Sequence, residues 1–114
     1  ILNYYKDNLI NNNISFLEIE KNVKSSVHLV IIRLNNISEE NHKNIFNDMR
    51  ERNIGVQLHY SPIHLQPYYR KLGFEEGDFP NAEEYSKSAM SLPVFEGIKY
   101  EELQYVVQSL LDII

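Results

Sequence analysis

The chain has 114 residues, room for one domain built around one core. Hydrophobic residues make up 43% and charged residues 24%, an ordinary globular balance, and no apolar run approaches the roughly 18 residues of a membrane span. A formal net charge of −5 disfavours binding to nucleic-acid phosphates, and the absence of cysteine excludes disulfides, thiolate metal sites and a cysteine nucleophile.

In chain order, Leu2, Tyr5 and Leu9 fall at helical spacing before Asn11, Asn12 and Asn13 stop the helix. Ile14 to Ile19 is short and β-prone. After a polar turn, Val27 to Leu34 is rich in β-branched residues and predicts a central strand with His28 as a hydrogen-bonded core or interface residue. Ser38 caps a helix with Glu39 and Glu40 in its first turn, Ile45, Phe46 and Met49 on its buried stripe, and His42 on its solvated side. Asn53 suits a left-handed exit. Val56, Leu58 and Tyr60 then alternate with Gln57 and His59, which predicts a strand that Pro62 ends.

Pro67 opens a short helix with Tyr68, Tyr69 and Leu72, which Gly73 stops. Phe74 to Pro80 reads as loop. Asn81 and Glu84 have the capping-box spacing of a helix ending near Met90, and Ser91 to Phe95 is extended, suited to an edge strand. From about residue 99 to the end, Tyr100, Leu103, Val106, Val107, Leu110, Leu111 and Ile114 trace one helical face, a core or domain interface without the basic residues of a membrane face. The expected fold is α/β of the α+β kind: a small, largely antiparallel sheet with helices packed on one side. The chain begins with Ile1 and shows no leader pattern, so it reads as a piece of a longer protein.

The densest chemistry is His59, Tyr60, Ser61, Pro62, Ile63 and His64, followed by Pro67, Tyr68 and Tyr69. Two readings stand: an ordered structural loop, and a ligand-facing site at a strand end. No metal site is expected, because Pro62 lies between His59 and His64 and no thiolate or acidic triplet completes a ligand set. Gly55, Gly73, Gly77 and Gly97 are dispersed, which excludes a dinucleotide fingerprint and a phosphate loop. No serine sits in a nucleophile elbow. Glu75, Glu76 and Asp78 lack the alternation of a calcium loop and read as solvated.

The segments GVQLHYSPIHLQPYY, Gly55 to Tyr69, and GDFPNAEEYSKSAMSLPVF, Gly77 to Phe95, resemble the C-terminal part of the DegT/DnrJ/StrS family. Its most specific pieces are His59-Tyr60-x-Pro62-x-His64, Pro80 with Ala82-Glu83, and Ser91-Leu92-Pro93. The family's members are pyridoxal-phosphate-dependent aminotransferases of nucleotide-linked keto-sugars, and the look is closest to the C4 transaminases of UDP-linked 4-keto-6-deoxy-N-acetyl sugars on the pseudaminic acid route. The resemblance implies that residues 1–114 are the small C-terminal domain of the type I aminotransferase fold. The large domain, which binds most of the cofactor and carries its lysine, then lies outside this chain, which is inactive alone.

The resemblance places His59 and Tyr60 on one wall of the substrate cleft, with His64 as a further candidate on the same loop. It assigns no catalytic, cofactor-binding or metal residue within the chain. It also implies a sugar nucleotide and an amino donor such as glutamate as partners, a homodimer with the large domain attached, no nucleic acid or membrane partner, and a cytoplasmic location. Arg33 is a candidate for the donor carboxylate, although strand-end arginines are more often solvated or ion-paired. The competing readings are a non-enzymatic α/β interaction or regulatory module and a degenerate transaminase homologue.

Overall fold

In the computed structural model, which describes residues 1–114, three strands form one antiparallel sheet in the order β1 (Ile14–Phe16), β2 (Val30–Leu34), β3 (Ala89–Leu92). The central β2 pairs Ile14 with Leu34 on one side and Ile31 with Ser91 on the other. Along β2, Val30, Ile32 and Leu34 are buried while Ile31 and Arg33 are half-buried, so one face of the sheet carries the core. Those side chains join Tyr5 of α1 (Leu2–Asn8), Ile45 and Met49 of α2 (Glu39–Glu51), and Leu103, Val106 and Leu110 of α5 (Tyr100–Ile113) in a single cluster. Helices on one side of a largely antiparallel sheet is the expected architecture.

Local chemistry sets the helix ends. Ser38 Oγ accepts the Asn41 amide at 3.2 Å, and the Glu102 carboxylate accepts the Lys99 amide at 2.7 Å, each relieving an orphan donor of a first turn. Asn53 (φ 59°) takes the left-handed turn after α2, and Gly73 (φ 98°) does so after α3 (Pro67–Arg70). The start of the chain is fixed to its far end. Tyr5, fully buried, donates its hydroxyl to the Pro93 carbonyl at 2.9 Å, and Tyr4 meets the Tyr100 ring edge-on at 5.4 Å.

Four expectations are corrected. The strand expected from Val27 begins at Val30, because Val27 takes a left-handed conformation (φ 53°) that breaks the extension and leaves His28 exposed rather than in the core. The segment from Gly55 to Tyr60 makes a single bridge, Gln57 to Ser91, in place of a strand; Val56 is fully buried, but Leu58 is 41% exposed with no layer to cover it. The helix expected to run to Met90 is α4 (Pro80–Ser86), opened by Pro80 rather than capped by Asn81. The Ser88 hydroxyl closes its end on the Glu84 carbonyl, and β3 follows at once. His42, expected in solvent, is 4% exposed, one turn before Ile45 on the buried stripe.

Two substitutions test this packing. Leu110→Ala removes a side chain with no exposed surface and is expected to destabilise the fold by about 2–5 kcal/mol. Tyr5→Phe strands the Pro93 carbonyl and is expected to cost about 1 kcal/mol in urea unfolding.

Candidate functional site

The site is built on the segment that leaves the core at Val56. Gln57 exchanges both backbone hydrogen bonds with Ser91 of β3, at 2.9 and 3.3 Å. Two residues on, His59 turns its half-buried imidazole onto the same serine, with Nε2 2.8 Å from Ser91 Oγ. His59 Nδ1 is buried without a partner. The Tyr60 ring stands edge-on to the imidazole at 4.9 Å and is itself 75% exposed.

Tyr60, Ser61 and Gln66 form one wall of an open groove of about 840 Å³, faced by Glu39, Lys43 and Phe46 of α2. An aromatic face, a hydroxyl, an amide and charges of both signs suit a polar ligand with several hydroxyls or anionic oxygens, which could stack and hydrogen-bond there at once. Lys87, on the same groove, lies 3.8 Å from Glu39 and 3.6 Å from Glu76.

His64 has a different setting. It lies in a 3₁₀ turn, Ile63–Leu65, only 7% exposed, with Nε2 2.8 Å from Glu83 Oε1. An ionised carboxylate only accepts, so His64 Nε2–H donates, and the same oxygen takes the Gly77 amide at 2.9 Å. The Gly77 amide foremost, with His64 and the Phe79 amide, holds the Glu83 carboxyl below its ordinary range against the opposing effect of burial. The His64 ring packs on Phe79 and lines a separate, small hollow with Tyr69 and Phe74. His59 and Tyr60 are thus brought together, while His64 is engaged inside the loop that follows them.

Arg33 pairs with Glu84 at 3.0 Å and donates Nε–H to Ser88 Oγ at 3.2 Å, the ion-paired reading of that residue. Of the seven lysines, six are exposed and Lys6 is half-buried, and Lys43 and Lys87 lie on the groove beside Phe46 and Tyr60. A pyridoxal phosphate site needs a lysine amine set against the cofactor's aldehyde and an acidic or basic partner for its ring nitrogen. Lys87 on the groove is exposed and engaged by Glu39 and Glu76, and Lys43 is exposed.

Two groups escaped the sequence reading as members of this region. Ser91 is a lone hydroxyl in a strand otherwise made of Ala89, Met90 and Leu92, and that interruption was its signal. His42 stands three and seven residues before Ile45 and Met49, which places it on their face of α2. Burial lowers the His42 pKa below its ordinary 6.5, partly opposed by the Ala89 carbonyl and Glu39.

For both His42 and Glu83 the folded chain releases a proton more readily than the unfolded chain, so acidification favours unfolding. Stability is expected to fall first below pH 6.5, through His42, and again below pH 4.5, through Glu83. Melting temperatures across this range should show His42→Leu flattening the first fall and Glu83→Gln the second. A His42→Leu variant with the parent's pH dependence would remove His42 as its origin.

The sequence pattern of the DegT/DnrJ/EryC1/StrS aminotransferase family matches residues 1–111. Among curated relatives, the spore coat polysaccharide biosynthesis protein SpsC of Bacillus subtilis is 40% identical over 65 residues, 56% of this chain and 17% of its own length. The UDP-4-amino-4,6-dideoxy-N-acetyl-beta-L-altrosamine transaminase of Campylobacter jejuni (serotype O:2) is 30% identical over 115 residues, all of this chain and 30% of its own length. Among solved structures, the putative sugar aminotransferase Spr1654 of Streptococcus pneumoniae overlays with a TM-score of 0.92 at 26% identity, over 98% of this chain and 28% of that one. It is known in PLP and PMP forms. Helicobacter pylori PseC, an aminotransferase involved in the biosynthesis of pseudoaminic acid, overlays with a TM-score of 0.84 at 28% identity, over 98% of this chain and 30% of that one. This chain therefore spans less than a third of each of these proteins. With 98% of its length overlaid on a solved sugar aminotransferase and its sequence matched from residue 1 to 111, the chain belongs to the DegT/DnrJ/EryC1/StrS aminotransferase family.

Proposed function

We propose that this chain is the C-terminal small domain of a pyridoxal-phosphate-dependent transaminase that transfers an amino group, from glutamate, to a nucleotide-linked 4-keto-6-deoxy sugar in surface glycan biosynthesis. The observation that carries this reading is 30% identity along the whole chain to the altrosamine transaminase of Campylobacter jejuni. The fold of PseC, overlaid on 98% of the chain, supports the same substrate class. The reading includes a large domain outside residues 1–114, a homodimer and a cytoplasmic location, the compartment of nucleotide-sugar pools.

Pyridoxal phosphate, held by the rest of the protein, supplies the electron sink for amino transfer. The small domain's share is binding and orientation. Tyr60 presents an exposed ring and hydroxyl to the groove, where a sugar or base can stack. His59, fixed on β3 through Ser91, offers a hydrogen bond to a sugar or phosphate oxygen. His64, through Glu83, holds the course of the loop that carries them. An apolar hollow of about 690 Å³ at the end of β3, with Leu92, Val94 and Phe95 in its lining, is the surface proposed to pack on the large domain.

The test is made on the full-length protein. Its spectrum with pyridoxal phosphate is expected to change on addition of glutamate and to revert on addition of the keto-sugar nucleotide. A spectrum indifferent to glutamate would support a degenerate homologue or an interaction module instead. His59→Ala is expected to lower kcat/KM for the sugar by about ten- to a hundredfold, with the glutamate half-reaction at its parent rate. An unchanged sugar kcat/KM would remove His59 from the cleft.

A further inference from the structure

The His59–Ser91 contact carries more information than the position of one side chain. Ser91 is 5% exposed in a strand buried at all four positions, so its hydroxyl needs a partner. Its amide and carbonyl are both taken by Gln57. Its Oγ has one partner, His59 Nε2 at 2.8 Å, and the opposite ring nitrogen, Nδ1, is buried with none.

The two neutral forms of the imidazole leave different numbers of groups unpaired. With the proton on Nδ1, the Ser91 hydroxyl donates to bare Nε2, and only the Nδ1–H lacks a partner. With the proton on Nε2, that N–H donates to Ser91 Oγ, and both the serine O–H and the bare Nδ1 go unpaired. A buried group without a partner is costly, so the form with one such group is favoured over the form with two. Tyr60 does not alter this count. It meets the imidazole by a ring edge, and its hydroxyl is not a partner of either ring nitrogen.

We propose that Ser91 is a positioning residue that fixes His59 as its Nδ1–H tautomer, and that the donor this leaves unpaired is taken up by an acceptor oxygen of the nucleotide-linked sugar when the exposed Tyr60 side chain moves off the imidazole. The proposal rests on the cleft role of His59 stated above. It adds the direction of the bond: the histidine gives its proton to the ligand and takes one from the serine. A donor of this kind selects for a hydroxyl or phosphoryl oxygen lone pair and against a ligand group that can only donate. Ser91 itself touches no substrate in this arrangement; its effect passes through the imidazole.

The experiment uses the full-length protein, with histidine nitrogens labelled with ¹⁵N and the His59 signals identified by their loss in His59→Ala. The parent is expected to show a protonated Nδ1 and a bare Nε2 on His59. Ser91→Ala is expected to lose that single-tautomer signature and to lower kcat/KM for the keto-sugar about tenfold, the weight of one neutral hydrogen bond, with the glutamate half-reaction unchanged. Ser91→Thr, which keeps the hydroxyl on a strand-compatible side chain, is expected to restore both. A His59 protonated on Nε2 in the parent overturns the proposal. So does a Ser91→Ala variant that keeps the parent's sugar kcat/KM. A parent protein that does not aminate the sugar at all overturns the proposed function, and the nitrogen spectra of parent and Ser91→Ala then decide the Ser91 assignment by themselves.

Discussion

β3 is the constraint on which the rest of the molecule depends. Four residues, all buried, receive the full ladder from β2 on one edge and the Gln57 bridge on the other. A strand this short cannot tolerate a register slip, since a shift by one residue would move Met90 and Leu92 out of the core and Ser91 into it. Its register is held from outside by three groups that arrive from distant parts of the chain. Arg33 reaches Ser88 just before it, His59 reaches Ser91 within it, and Tyr5 reaches Pro93 just after it. The polar contacts thus cluster where pairing alone would be weakest.

The loop after β3's bridge partner is rigid for a separate reason. Glu83 takes the Gly77 amide and His64 on one oxygen, so a single buried carboxylate ties the start of α4 to two points of a long surface excursion. The excursion carries Tyr68, Tyr69, Phe74 and Phe79 in successive ring contacts, and the last of these packs on the His64 ring. His64 therefore contributes to the candidate site through geometry: its loop returns to the body of the domain a few residues after Tyr60, and the groove wall of Ser61 and Gln66 lies on that return.

Most elements were legible in the sequence because their signals are local. Helical spacing exposed α5, the Ser38 cap marked α2, and Asn53 and Gly73 marked their left-handed exits. The family resemblance singled out His59 and Tyr60 by motif, and the structure places those two rings against each other. What failed were inferences that needed a partner from elsewhere. Leu58 alternates correctly with Val56, but burial requires a covering layer, and none is there. His42 looked solvated because histidine is polar, although its spacing to Ile45 and Met49 was that of a core position. Ser91 could be seen as a hydroxyl in an apolar run, but its partner lies 32 residues away in a segment that was expected to be a regular strand.

The bond from Tyr5 to Pro93 has a consequence for how the chain is made. The buried face of α1 finds its partners in Pro93 and in α5, the last helix of the sequence. At about 5–20 residues per second, roughly 5–20 s separate the synthesis of α1 from that of the residues it docks on. A helix of seven residues is too short to persist alone in water. During that interval α1 lacks the partners that bury Tyr5, and the domain closes only when α5 has left the ribosome.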